Sequence, residues 1–406
     1  MQIVLGIVGA CLLVAASLLA VPVVVLSLQV LAGYRALAAT RPARTDPGPS
    51  DARPDVAVLI PAHDEADGIA ASIASVKAQL TMPDRLLVVA DNCSDETARV
   101  AREAGAEVVV RDDPERRGKG YALDRGVRHL GAAAPAIVVI VDADCLVADG
   151  AIDTLARCCA ASRRPVQALY LMHSPAGAPL KTRIAEFAWV IKNQVRPLGY
   201  HRLGLPCQLM GTGMAFPWDV IEKAPLASGH IVEDLQLGLD LAAAGTPPLF
   251  CPGALVTSVF PLTPAALATQ RTRWEHGHLG VIAGMAPRLL WRAAKEGRGA
   301  LAALVVDLCV PPLAALVMAL CVVTIAAALL VVAGGPSAAL FVAGAAFLLL
   351  VGSLSLAWRG FARHIVTWRE LASAPSYVFG KVGIYARMFR RKQTDWVRTR
   401  RDDGTH

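Results

Sequence analysis

The stretch "VVIVDADCLVADG", residues 138–150, runs from an apolar segment into Asp142 and Asp144 and then into turn residues. An apolar run of this length reads as a buried strand. Side chains at i and i+2 of a strand share a face, so two carboxylates one residue apart at its end converge. Anions held that close raise one another's pKa unless a cation lies between them, and hard divalent ions such as Mg2+ or Mn2+ take such oxygens. The same letters also suit turn and cap residues ahead of a helix opening at Asp149. The motif alone allows both readings, and the surrounding chain has to decide.

Outward from this stretch, apolar runs at 56–60, 86–90, 107–110 and 137–141 alternate with helical spacings at 68–80, 94–104 and 119–130. That alternation predicts an α/β domain with a mostly parallel sheet, in which ligands bind beyond the carboxyl ends of the strands. Three polar clusters fall at such ends: "PAHDE" at 61–65, "DNCSDET" at 91–97, and the D-A-D itself. The segment "RRGKGYALDRG" at 116–126 lacks the spacing of a P-loop, so Lys119 is read as the start of a helix near the site. At 228–245, "SGHIVEDLQLGLDLAAAG" sets Glu233 and Asp234 at the mouth of an amphipathic helix, as dipole partners or as reactive acids. In "TQRTRWEHGHLG" at 269–280, Gln270, Arg273 and Trp274 stand on adjacent turns beside Glu275, His276 and His278. Arginine beside tryptophan offers a cation for a pyrophosphate and a flat face for a sugar, or else an interfacial aromatic anchor.

Composition ties this domain to a membrane. Of 406 residues, 55% are hydrophobic and 18% charged, with a mean hydropathy of +0.47. Residues 3–33, 313–333 and 337–357 each approach or exceed the roughly 20 apolar residues that span a bilayer. Arg35, Arg41 and Arg44 follow the first span, Arg288, Arg292, Lys295 and Arg298 precede the second, and Arg359, Arg363 and a basic tail follow the third. The positive-inside rule makes these sides cytoplasmic and the uncharged "GGPS" loop extracytoplasmic. The expected organisation is an anchor over 1–34, a Pro-rich linker over 35–54, a cytoplasmic domain over 53–282, interfacial helices over 283–311, two spans over 312–358 and a basic tail over 359–406. The first span lacks the basic n-region of a signal peptide and is read as uncleaved. A net charge of +7 concentrated beside the spans suits anionic membrane lipids, and no nucleic-acid-binding module is present. Nine scattered cysteines without a C-x-x-C pair imply reduced thiols and no zinc site.

The order "PAHDE", "DNCSDET", "GKGYAL", "DADC", "GTGMAF", "VED", "QRTRW" over residues 53–280 resembles the membrane-bound family-2 glycosyltransferases. That group includes cellulose, chitin and hyaluronan synthases and ceramide glucosyltransferase; the spans and the "WVRTRR" tail look like its bacterial exopolysaccharide members. Val232 stands where many members have Thr. The resemblance implies a GT-A fold and an inverting, metal-dependent sugar transfer from a nucleotide-diphospho-sugar, in the first place a UDP-sugar, to a saccharide or lipid-linked acceptor. By that resemblance Pro61, His63, Glu65 and Asp91 surround the nucleotide, and Asp142 and Asp144 hold Mg2+ or Mn2+, Asp142 also facing the donor. Lys119 and Arg273 face the diphosphate, Asp234 is the base with Glu233 beside it, and Trp274, Gln270, Gly211, Thr212 and Gly213 line the acceptor path. His173, His201 and Gln208 are candidates for choosing the sugar. A homo-oligomer or polysaccharide export partners are compatible with three spans. The rival readings are a haloacid-dehalogenase-type phosphatase, a transporter, a non-catalytic nucleotide-sugar sensor and a ceramide-glucosyltransferase-like enzyme adding one sugar.

Overall fold

In the computed structural model, residues 1–38, 53–261 and 263–373 are described; the linker at 39–52 and the basic tail beyond 373 lie outside them. The chain opens with helix α1 (Gln2–Ala38) and enters the sheet at β1 (Val56–Ala62), all seven residues of which are buried. A continuous apolar strand of this kind needs cover on both faces. Helix α2 (Ile69–Lys77), β2 (Arg85–Asp91), α3 (Thr97–Glu103), β3 (Glu107–Arg111), α4 (Lys119–Leu130) and β4 (Ile137–Ile140) complete the alternation expected from the sequence. Then follow β5 (Leu146–Val147), α5 (Ala151–Ser162), β6 (Val166–His173), α6 (Leu180–Val190), a π-helical segment at Ile191–Val195, α7 (Arg196–Arg202), β7 (Met214–Pro217), α8 (Trp218–Ile221), α9 (Glu233–Ala244) and β8 (Leu249–Val259).

The strand order is β3-β2-β1-β4-β7-β6-β8-β5. β1 pairs in parallel with both β2 and β4, and β7 runs antiparallel between β4 and β6. The chain thus grows outward from β1 to β3 and returns to the other side of β1 as β4. That reversal opens a crevice beyond the carboxyl ends of β1 and β4, the place where open α/β sheets bind ligands.

Alternate residues of β1 feed two layers. Val56, Val58 and Ile60 pack with Ile73 and Val76 of α2 and with Leu155 of α5. Ala57 and Leu59 face Leu123 and Val127 of α4 and Leu237 and Leu241 of α9.

A long helix α10 (Pro264–Lys295) leaves the sheet, followed by α11 (Gly299–Leu308), α12 (Leu313–Val332), α13 (Ala338–Ala357) and the short α14 (Trp368–Ala372). Position 282, read from sequence as a domain boundary, falls inside α10. Among the described residues, three helices, Gln2–Leu37, Leu313–Val332 and Ala338–Ala362, are long and apolar enough to cross a membrane.

The apolar helices pack against the sheet domain through α6 and α7. Val23, Leu26 and Val30 of α1 share a cluster with Phe187, Val190, Val195, Leu316 and Leu350. Gly199 lets α1 and α7 touch, since a β-carbon there would lie 2.1 Å from the Gln29 carbonyl oxygen. One polar knot is buried in this contact. Arg196 Nη2 donates to Asp307 Oδ1 at 2.7 Å, while Gln29 Nε2 donates to the same oxygen at 2.6 Å. Asp307 is therefore the buried partner of Arg196.

Candidate active site

Ile140 ends β4, so Asp142 and Asp144 do not lie on a strand. Cys145 N–H donates to the Asp142 carbonyl at 3.1 Å, and this turn turns both side chains toward one point. The convergence expected from strand alternation is thus produced by a turn. Carboxylate oxygens of Asp142 and Asp144 and the Cys145 sulfur lie within 4.8 Å of one another. Burial pushes the Cys145 thiol well above its usual range, so it stays protonated, leaving two hard carboxylates as donors suited to Mg2+ or Mn2+. Asp149 does not open the next helix: Gly150, at a φ of 74°, precedes α5 without a side-chain cap.

Four elements bring the remaining groups to this turn. Lys119, the first residue of α4, bonds the Asp142 carboxylate and donates to the Gly211 carbonyl at 2.7 Å. Glu233 and Asp234 start α9, and Glu233 Oε1 lies 4.0 Å from Lys119 Nζ. Gly211 adopts a φ of 91° between them; a β-carbon built on it would sit 3.4 Å from Asp234 Oδ2, 3.6 Å from Lys119 Nζ and 3.9 Å from Asp142 Oδ2. Only glycine takes this backbone without strain while leaving the acids open. In α10 the i, i+3, i+4 spacing of Gln270, Arg273 and Trp274 puts all three on one face, and all three line the same cavity as the acids.

Charge is dense here. Burial raises the Glu233 carboxyl to about 7, with Asp234 adding to the rise and Lys119 opposing it. Burial raises Asp142 as well, Lys119 again opposing and Asp144 adding. For Lys119 burial disfavours the ammonium, but Asp142, Glu233 and Asp234 outweigh it and its pKa rises. Burial lowers Arg273 from its ordinary value, with Glu233 and Asp142 holding it charged.

At the ends of β1 and β2, Pro61, His63, Glu65 and Asp91 line the other side of the cavity. Asp64 and Asn92 hold φ of 53° and 51°, left-handed backbone that costs free energy and gathers at functional sites. Asp64 Oδ1 accepts from Ser94 N–H at 2.6 Å and so ties the two loops together. Asp91 Oδ1 is engaged by Arg111 at 2.5 Å and Asn92 at 3.1 Å.

Several sequence expectations move. Gly211 lines the cavity, but Thr212 and Gly213 lie behind it: Thr212 is fully buried and its hydroxyl accepts from Asp142 N–H at 3.0 Å, and a β-carbon on Gly213 would touch Ala168 and Val256. Thr212 therefore shapes the D-A-D turn. His173, His201 and Gln208 are absent from the cavity wall. His278 is buried and kept neutral, its pKa lowered to about 4 by burial, and its Nε2–H donates to the Leu308 carbonyl at 2.9 Å, pinning α10 to α11. Trp274 packs on Trp189, with ring centroids 5.0 Å apart. Trp189 and Lys192, in "EFAWVIK", also line the cavity; the sequence signal for them is their i, i+3 spacing.

Residues 54–277 match the family model described as glycosyltransferase like family 2. The chain belongs to this family. An uncharacterized glycosyltransferase of Mycobacterium tuberculosis is 30% identical to this family-2 chain over 200 residues, covering 45% of the chain and 85% of that protein; one of Mycobacterium bovis matches equally. Among solved structures, the mannosyltransferase PcManGT from Pyrobaculum calidifontis, in complex with GDP-Man and Mn2+, superposes with a TM-score of 0.55 at 19% identity, covering 87% of this chain and 99% of that one. The family-2 domain shares that protein's GT-A-like α/β fold.

Proposed function

We propose that the chain transfers a sugar, with inversion, from a nucleotide-diphospho-sugar to an acceptor hydroxyl at the cytoplasmic membrane face, making a glycolipid or an exopolysaccharide-type glycan. The observation that carries this reading is the meeting of Asp142, Asp144, Lys119, Glu233, Asp234 and Arg273 in one cavity at the reversal of strand order. Asp142 and Asp144 would hold Mg2+ or Mn2+, which supplies Lewis acidity toward diphosphate oxygens when bound. Pro61, His63, Glu65 and Asp91 receive the nucleoside. Lys119 and Arg273 bring positive charge to the diphosphate and stabilise the charge that grows on it as the sugar leaves. Asp234 takes the acceptor proton, and the raised Glu233 beside it tunes the acid cluster. Trp274, backed by Trp189, gives the acceptor a flat wall. A single in-line displacement turns an α-linked donor into a β-linked product.

The donor is taken as a UDP-sugar in the first instance; PcManGT was solved with GDP-Man, so both bases belong in the test. Protein in nanodiscs with Mn2+ is offered UDP- and GDP-sugars together with a bacterial lipid extract, and nucleoside diphosphate release is followed. Release that needs the extract, stops in EDTA and returns with Mn2+ or Mg2+ is expected. Donor binding without turnover across the whole panel would instead favour a nucleotide-sugar sensor.

A further inference from the structure

The cavity that holds the acids does not close at the edge of the sheet. One continuous space of about 1050 Å³ runs from Asp142 and Asp234 past Trp189 and Lys192 into a groove walled by Leu26 of α1, Val317 of α12 and Phe347, Val351 and Leu354 of α13. Its two ends differ in chemistry. The sheet end is lined by carboxylates and cations, whereas the far end is built from three helices apolar and long enough to cross a membrane. Val351 lines this groove and still keeps 46% of its surface exposed. Between the two ends Lys192, in the π-helical segment Ile191–Val195, holds its ammonium 5.3 Å from the Trp189 ring centre. π-Helical turns of this kind recur at functional sites because they re-aim side chains.

A water-soluble saccharide gains nothing from an apolar groove next to the reacting groups. An aliphatic chain stays out of water there. We propose that the acceptor is a membrane amphiphile whose hydroxyl-bearing head meets Asp234 while its aliphatic chain lies in the groove between α12 and α13. The inference rests on the transferase reading above and narrows its acceptor. The head oxygen forms a bond to the anomeric carbon, the bond from that carbon to the diphosphate oxygen breaks, and the nucleoside diphosphate departs with the electron pair. The hydroxyl proton passes to Asp234. Lys192 stands where a head group crosses from the groove to the acids, and it donates hydrogen bonds to that head.

The test uses the full chain in nanodiscs, Mn2+ and a donor radiolabelled in its sugar. Two acceptor preparations share the same heads: a bacterial total lipid extract, and the water-soluble head groups released from it by mild alkaline deacylation. Label is expected in the chloroform phase, at a rate at least tenfold above transfer to the deacylated heads. Val317→Trp and Leu354→Trp, which fill the groove, should cut lipid labelling at least tenfold, mainly through KM for lipid. The outward control Leu329→Trp, at a residue 65% exposed, should leave it unchanged. Affinity for UDP with Mn2+ should be the same in all four proteins, which separates a blocked groove from a misfolded domain. Equal or faster labelling of the deacylated heads, or lipid labelling that survives both groove-filling changes, would overturn the proposal. Label in neither phase despite donor binding would count against the transferase reading itself.

Discussion

The Lys119 ammonium is bonded to the Asp142 carboxylate and lies 4.0 Å from Glu233 Oε1. One cation thus serves two acids from different elements, the turn after β4 and the start of α9, and both acids have raised pKa values even with it in place. Lys119→Met removes the positive charge that opposes the rise. Asp142 and Glu233 then bind protons more readily, and affinity for UDP with Mn2+ should fall at least tenfold at pH 7, more at pH 6, and recover in part at pH 8.5. Titration calorimetry at the three pH values checks this; an unchanged and pH-independent affinity would show that Lys119 is only a solvated helix-start residue.

Glu233 makes a stability prediction of defined sign. Its folded pKa of about 7 lies above the ordinary carboxylate value, so the native state binds the extra proton. Stability then falls as pH rises from the unfolded value, about 4.3, toward 7, and levels off above that. Glu233→Gln cannot lose that proton. The variant should therefore gain on the wild type by roughly 1–3 kcal/mol between pH 4.5 and 7.5. Urea melts of the two proteins at both pH values measure the difference, and a constant gap would refute the assignment.

Arg196 and Asp307 join α7 to α11 in a buried contact shared with Gln29 of α1. Asp307→Ala leaves the guanidinium buried without its carboxylate, a loss of about 3–5 kcal/mol. The double change Arg196→Met with Asp307→Leu removes both charges and should restore most of that stability. Thermal melts in detergent distinguish the cases; a mild Asp307→Ala would mean that water reaches the arginine.

Much of this was legible in the sequence, for physical reasons that also explain what was not. The four parallel strands and their helices follow from local periodicity, and observed bounds such as Val56–Ala62 and Lys119–Leu130 fall close to the expected ones. Strand alternation predicts the carboxylate pair, but a turn closed between Asp142 and Cys145 is what brings it together. Thr212 and Gly211 read alike as small residues, yet one is buried under the turn and the other opens on the acids. Only tertiary contact separates them. The Trp189–Trp274 wall and the Arg196–Asp307 pair join residues far apart in the chain, so no window of sequence shows them. The continuity of the polar site with the apolar groove has the same origin.

In the proposed mechanism Asp234 acts on the acceptor proton while Asp142 and Asp144 serve the donor. Its most direct test measures one variant twice: Asp234→Asn by calorimetry of UDP binding with Mn2+ and by transfer rate at saturating donor. Affinity should stay within a few-fold of the wild type while the rate falls by about 10² to 10⁴, the range general base catalysis supplies. A variant that loses nucleotide affinity yet keeps its rate at saturation would contradict it.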